Sequence, residues 1–285
     1  MTVPVGLIGG SGVYDLEAIE GLHEETVETP FGPASDSYLT GTLSGVPVAF
    51  LSRHGRGHRL SPTEINYRAN VWGFKALGCD ALLSASAVGS LREEDVPRRA
   101  VIPDQFIDRT RHRPDTFFGD GLVAHVSFAD PVCPSLARAL EVAADVAGLP
   151  ARRGGTYVCM EGPQFSTRAE SLLYRSWGAD VIGMTNLTEA KLAREAEICY
   201  ATLALVTDYD AWHESEQAVS VEAVVAILGE NAAAARRTMQ AAVARIAPDR
   251  NCSCRHALRH AILTDRNGIP EEARRRLAPL VGKYL

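Results

Sequence analysis

The chain has 285 residues, 46% apolar and 22% charged, which suits a globular protein and is long enough for one large core without a second domain. A formal net charge of −6 argues against nucleic acid or an anionic membrane as the main partner. Met1–Pro4 lead into a short apolar run with no basic region or cleavage pattern, and no stretch approaches the ~20 apolar residues of a bilayer span, so the expectation is a cytoplasmic protein.

In chain order, Val3–Ile8 reads as a buried strand that ends in the tight loop Gly9-Gly10-Ser11-Gly12. Val46–Leu51 is a second apolar run, delivering Ser52, Arg53 and His54 at its end. Ile65–Leu77 has helical spacing and stops at Gly78; Asp80–Ala87 is a buried strand running into Val88-Gly89-Ser90. Ala100–Ile107 is a further strand. Ser135 is placed to cap a helix that Gly148 and Pro150 terminate near Ala147. Thr156–Met160 reads as a strand, Thr167–Trp177 as a helix, Asp180–Ile182 as a short strand and Glu189–Glu197 as a helix. Ala201–Thr207 is a strongly apolar strand. Ser220 caps a long alanine-rich helix to about Ile246, and Pro270–Val281 gives a last helix in a tail, residues 252–285, too short to be a domain.

Strands alternating with helices imply a single α/β domain with a mostly parallel sheet flanked by helices on both faces. Ligands of such sheets gather at the carboxyl ends of strands. The polar clusters of this chain fall there: after Ile8, Leu51, Ala85, Ile182 and Thr207. One active site is therefore expected.

Several residues in those clusters can carry chemistry. The Gly9–Gly12 loop offers backbone amides and the Ser11 hydroxyl to a phosphate, while Asp15 stands where a dinucleotide fingerprint needs glycine or alanine. A plain tight turn is the alternative. Arg53 presents a planar fork of donors that matches a tetraoxyanion, and Ser84, Ser86 and Ser90 supply hydroxyls or simply pack. Asp208 and Asp210 at the mouth of a buried strand are costly unless bonded; one with a raised pKa can donate a proton, and a turn or cap is the alternative. The run Arg109–Arg113 reads as a solvated loop, and Trp72, Trp177 and Trp212 as core. Of six cysteines, Cys79, Cys133, Cys159 and Cys199 lie singly in apolar segments as buried thiols. Cys252 and Cys254 form a Cys-x-Cys with no second ligand pair at zinc spacing, although His256 and His260 are near. A local disulfide or two free thiols is expected, and no metal.

The segments Ile8–Gly12, Thr29–Gly32, Arg53–Gly55, Asn66–Asn70, Ala87–Leu91, Asp104–Asp108, Met160–Pro163, Arg168–Glu170, Met184-Thr185 and Thr207–Asp210 together resemble the 5'-methylthioadenosine phosphorylases of the purine-nucleoside phosphorylase group. The resemblance runs in order to about residue 247, and the tail looks like that of prokaryotic members. It implies a nucleoside-phosphorylase-like fold and phosphorolysis of methylthioadenosine with inorganic phosphate as co-substrate and no cofactor. It places phosphate on Ser11, Arg53, His54, Ser86, Ala87 and Thr185; the serines stand where the family often has threonine, keeping the hydroxyl. It places the nucleoside against Phe165, Ile182, Met184, Val221 and Val224, with Asp208 and Asp210 at the purine. Asp208 stands where members that prefer 6-oxopurines carry Asn. His125 matches a residue that a neighbouring subunit lends, so a homotrimer is implied. A 6-oxopurine phosphorylase, a phosphorylase of another 5'-deoxy-5'-substituted adenosine, and a non-catalytic nucleoside-binding oligomer stay open.

Overall fold

The structure is a computed structural model and describes residues 4–10, 16–213, 220–248 and 250–285. Two ten-residue strands, β5 (Ala81–Ser90) and β11 (Cys199–Asp208), run parallel at its centre. Nine of the ten β11 residues are buried, which is why this strand reads as a continuous apolar run with no alternation. Around this pair lie β1 (Val5–Gly9) and β4 (Val46–Ser52) on one side, and β10 (Val181–Gly183), β9 (Thr156–Met160) and β7 (Gln105–Arg109) on the other. The outer strands are β2 (Glu20–Glu25) and β3 (Tyr38–Leu43), with β6 (Ala100–Ile102) and β8 (Ala151–Arg153) off β11. Among the described residues, six of the pairings are parallel and four antiparallel, so the sheet is mixed and mostly parallel.

Alternation along the central strands decides the layers. Ala81, Leu83 and Ala85 of β5 and Cys199, Ala201, Leu203 and Leu205 of β11 pack in one core with α2 (Pro134–Ala147) and α5 (Val221–Val243). Leu82 and Tyr200 join the opposite core, with α1 (Tyr67–Ala76), α4 (Asn186–Glu195) and α6 (Glu271–Val281). On this second face β5 also presents Ser84 and Ser86, so α4 must meet them with polar groups. Helix α3 (Arg168–Ser176) starts at Thr167, which with Glu170 forms a reciprocal capping box. The tail is part of the same body: Leu277, Leu280 and Val281 are buried in the second core.

Some sequence expectations need correction. Ala100–Ile107 is two strands, because Pro103 has no N–H to continue a ladder. Helix α2 is capped at Cys133 with Pro134 in its first turn, not at Ser135. Helix α4 begins at Asn186, three residues before the expected start. Trp72 and Trp212 are buried, whereas Trp177 is exposed and carries the Arg109 guanidinium 5.9 Å from its ring centre. Among the described residues, no helix is long and apolar enough to cross a membrane.

Candidate active site

The strand ends come together as the register dictates. Gly9 pairs with Ser52, Ile8 with Leu51 and Ser84, and Gly89 with both Ile182 and Asp208. Arg53, one residue beyond β4, turns back under these ends and is 2% exposed. Its Nη2–H donates to Ser84 Oγ at 2.6 Å and to Glu189 Oε2 at 3.3 Å, its Nη1–H donates to the Ala85 carbonyl at 3.0 Å, and its Nε–H donates to Glu189 Oε1. Glu189 also accepts from the Ser84 hydroxyl at 3.0 Å and the Tyr200 hydroxyl at 2.9 Å. Every oxygen of this buried carboxylate is thus satisfied, which makes burial of both charges tolerable.

Asn186, the first residue of α4, extends the network. Its amide donates to Ser84 Oγ (2.8 Å), Tyr200 Oη (2.9 Å) and Thr202 Oγ1 (2.9 Å), and its carbonyl oxygen accepts from Ser86 Oγ at 2.7 Å. Thr185 occupies the N-cap position of α4 and is buried. Arg53, Ser84, Ser86 and Thr185 therefore converge at the positive end of a helix, the arrangement that favours an anion. Ala87, next on β5, is half-buried. Ser90 is not part of this group: its hydroxyl donates to the Arg92 carbonyl at 2.7 Å. Ser11 lies outside the described residues.

His54 follows Arg53 and stacks on His58 with ring centres 4.1 Å apart. Its Nδ1–H donates to the Leu60 carbonyl at 2.8 Å, leaving Nε2 as an acceptor. Burial and then the Arg53 charge hold its pKa down at about 4, so the ring is neutral near pH 7.

Asp208 ends β11 beside a glycine that it needs. A Cβ at Gly89 would stand 2.9 Å from Asp208 Oδ1 and 3.2 Å from Ile182 Cγ2, so the missing side chain leaves room for the carboxylate. Asp208 accepts from Thr207 Oγ1 at 2.7 Å and from the Asp210 amide at 2.8 Å. Burial pushes its pKa up, opposed by the hydrogen bonds from Thr207 and the Asp210 amide, while the Asp210 charge adds a smaller upward push. Asp210 sits at a left-handed φ of 50°, and its Oδ2 is buried with no hydrogen-bond partner among the described residues. Burial raises its pKa too, against the Ser171 and Ser166 hydroxyls.

Met184 forms another wall, packed on Gly162, where a Cβ would fall 2.5 Å from its sulfur. Its carbonyl accepts from Arg113, which also donates to the Glu161 carbonyl at 2.6 Å and to Tyr67 Oη at 3.2 Å. Arg113 is buried, a correction to the reading of Arg109–Arg113 as a wholly solvated loop. Phe165 is exposed, as is Val221 at 65%, with Val224 half-buried on the opening turn of α5. His125 is exposed and its amide donates to the Ala261 carbonyl at 2.8 Å; this holds it to the tail, not to the other candidate residues.

The model of the phosphorylase superfamily matches residues 4–246. The chain belongs to this family. It is 59% identical to the S-methyl-5'-thioadenosine phosphorylase of Geobacter sulfurreducens over 99% of both chains. It is 57% identical to that of Koribacter versatilis, over 100% of this chain and 97% of the relative. Among solved structures it is similar to a methylthioadenosine phosphorylase from an Antarctic soil metagenomic library, with TM-score 0.93, 51% identity and 98% and 99% of the two chains covered. It is also similar to the Schistosoma mansoni methylthioadenosine phosphorylase in complex with adenine, with TM-score 0.82, 38% identity and 85% and 91% covered.

Within this superfamily member, sequence reasoning missed Glu189, Asn186 and Arg113 as parts of the site. The signal available for the first two was Ser84 and Ser86 in the buried first part of β5, where the other residues are Ala and Leu: hydroxyls facing a helix need polar partners there. Cys133 and Cys199, read as isolated thiols, are instead gathered with Cys252 and Cys254, and all six cysteines are free.

Proposed function

We infer that the chain cleaves 5'-methylthioadenosine by phosphorolysis, giving adenine and 5-methylthio-α-D-ribose 1-phosphate. The observation that carries this reading is Asp208, a carboxyl with a raised pKa, set in register with Gly89 and Ile182 beside an anion-favouring helix end. Its identity to the methylthioadenosine phosphorylases extends over essentially the full length.

Phosphate lies on Ser11, Arg53, His54, Ser86, Ala87 and Thr185, with no metal or cofactor in the reaction. The convergence of Arg53, Ser86 and Thr185 around Asn186 and Ser84 supports this placement. Because Glu189 balances the Arg53 charge, anion affinity rests on directed donors and the α4 terminus more than on net positive charge. His54 Nε2, held as an acceptor, suits the hydroxyl of a hydrogen phosphate.

The purine lies between Phe165 and Asp208, and the ribose against Met184 and Ile182. Asp208 shares or donates a proton at N7 as the N9–C1' bond breaks, so adenine leaves without accumulating charge; Asp210 supports it. The ribosyl cation that develops is stabilised by the adjacent phosphate, whose oxygen then bonds C1' from the opposite face. Val221 and Val224 offer the 5' end an apolar wall, where an unpaired hydroxyl costs about 1–3 kcal/mol. Exposure of that wall, and of His125, supports a homotrimer in which a neighbouring copy covers the 5' end; molar mass by light scattering tests it.

Substrate choice tests the reading. Turnover of methylthioadenosine, adenosine and inosine is compared at equal phosphate. A preference for methylthioadenosine is expected, and a preference for inosine contradicts the role given to Asp208.

A further inference from the structure

At the end of the molecule away from Asp208, four cysteines far apart in sequence meet. Cys133 caps α2, Cys199 opens β11, and Cys252 and Cys254 flank Ser253 at the start of the tail. Their sulfurs all lie within 4.8 Å of one another, and Cys199 and Cys252 are 3.1 Å apart. A tetrahedral zinc–thiolate centre with Zn–S of about 2.3 Å places its sulfurs roughly 3.8 Å apart, inside that span. A disulfide needs about 2.05 Å. Cys133, Cys199 and Cys254 are buried and Cys252 half-buried, so the group is closed to solvent on most sides.

A second observation concerns charge. Arg194 is 7% exposed; its guanidinium donates to the carbonyls of Ser127 at 2.8 Å and Asp130 at 2.5 Å, with Cys254 Sγ at 4.0 Å. Among the described residues it has no carboxylate within ion-pair distance. A buried cation of this kind needs an anion. Arg250, also buried, lies against Cys199 and shares Asp80. Four neutral thiols, or two disulfides, would leave Arg194 unbalanced. Four thiolates around a dication carry two net negative charges, which Arg194 and Arg250 face.

We propose that Cys133, Cys199, Cys252 and Cys254 bind one zinc ion as a closed tetrathiolate site that fastens the tail to the sheet. Four soft sulfur ligands in a compact cluster select zinc over the hard cations, and the absence of an open position makes the site structural. It sits nine residues along β11 from Asp208, about 30 Å at strand rise, so it takes no part in phosphorolysis.

The test uses the full chain purified reduced from zinc-replete medium. Elemental analysis is expected to find about one zinc per chain, falling at least tenfold in Cys252→Ser and Cys254→Ser and unchanged in Cys79→Ser. Should the serine variants fail to fold, the wild-type chain is stripped and titrated with Co²⁺; one equivalent producing tetrahedral thiolate absorption, bleached by Zn²⁺, is the supporting result. A reduced wild-type chain that holds no zinc and gives no such absorption overturns the proposal. So does an intact mass, before reduction, that is two or four mass units low, which marks disulfides.

Discussion

Arg53 and Glu189 make an ion pair whose side chains are 2% and 0% exposed, joining the end of β4 to the first turn of α4. Removing two charges from water costs several kcal/mol per ion before their attraction is counted. Here the carboxylate accepts from Arg53, Ser84 and Tyr200, and the guanidinium also reaches the Ala85 carbonyl. The pair therefore fixes Arg53 in one orientation beneath the strand ends, and couples that orientation to the helix whose first residue, Asn186, holds Ser86.

Substituting Glu189→Ala strands the Arg53 charge in the core. A loss of about 3–5 kcal/mol is expected, read by denaturant unfolding, together with a raised KM for phosphate in any folded fraction. Tyr200→Phe removes one donor while Arg53 and Ser84 remain, so it should cost nearer 1 kcal/mol. Equal, small losses for the two variants would mean that the pair does not bear on stability.

Asp208→Asn keeps the shape of the side chain and removes the titrating proton. Turnover of methylthioadenosine should fall roughly 10²- to 10⁴-fold, while the melting temperature holds and relative activity on inosine rises. The raised pKa also sets a pH limb. The folded protein holds the Asp208 proton above the ordinary carboxylate range, so the protonated form is lost as pH rises through that raised value, and kcat/KM should decline in the same direction. A profile for the wild type that lacks this alkaline decline removes Asp208 as proton donor.

Glu195 gives a stability prediction apart from the site. Burial raises its pKa to about 7, against the hydrogen bonds it accepts from Phe117 and Thr116. The folded state then binds a proton more tightly than the unfolded chain, so stability is fullest below the ordinary glutamate value of ~4.3 and falls as pH rises from there to about 7. Glu195→Gln should flatten this dependence and be the more stable protein at pH 8. A chemical-denaturation series across pH reads both, and parallel curves for the two proteins would contradict the assignment.

Gly183 precedes Met184 and has no room for a side chain: a Cβ would fall 2.0 Å from Tyr157 Oη and 2.7 Å from its Cζ. Gly183→Ala is expected to destabilise by about 1–3 kcal/mol through overpacking and to displace Met184. Adding Tyr157→Phe removes the nearer atom and should restore part of the loss. No recovery in the double variant would place the conflict elsewhere.

How much of this was legible in the sequence depended on contrast. β11 and β5 could be read because unbroken apolar runs end in abrupt polar groups, and the same contrast marked Arg53, Ser86 and Asp208. β2 escaped notice because all six of its residues are exposed, so it carries no burial pattern. Asn186 and Glu189 look like residues of a solvated helix face; only the packing of α4 against the Ser84–Ser86 side of the sheet turns them inward. Arg113 was hidden in a basic loop for the same reason. The four cysteines are separated by whole elements of structure, and sequence spacing could not bring Cys133 and Cys199 to the Cys252–Cys254 pair.

The central claim is phosphorolysis, and adenine release from methylthioadenosine with and without inorganic phosphate tests it most directly. Release that requires phosphate and yields 5-methylthioribose 1-phosphate in equal amount is the predicted result. Release at the same rate without phosphate, with free methylthioribose as the sugar product, would contradict it.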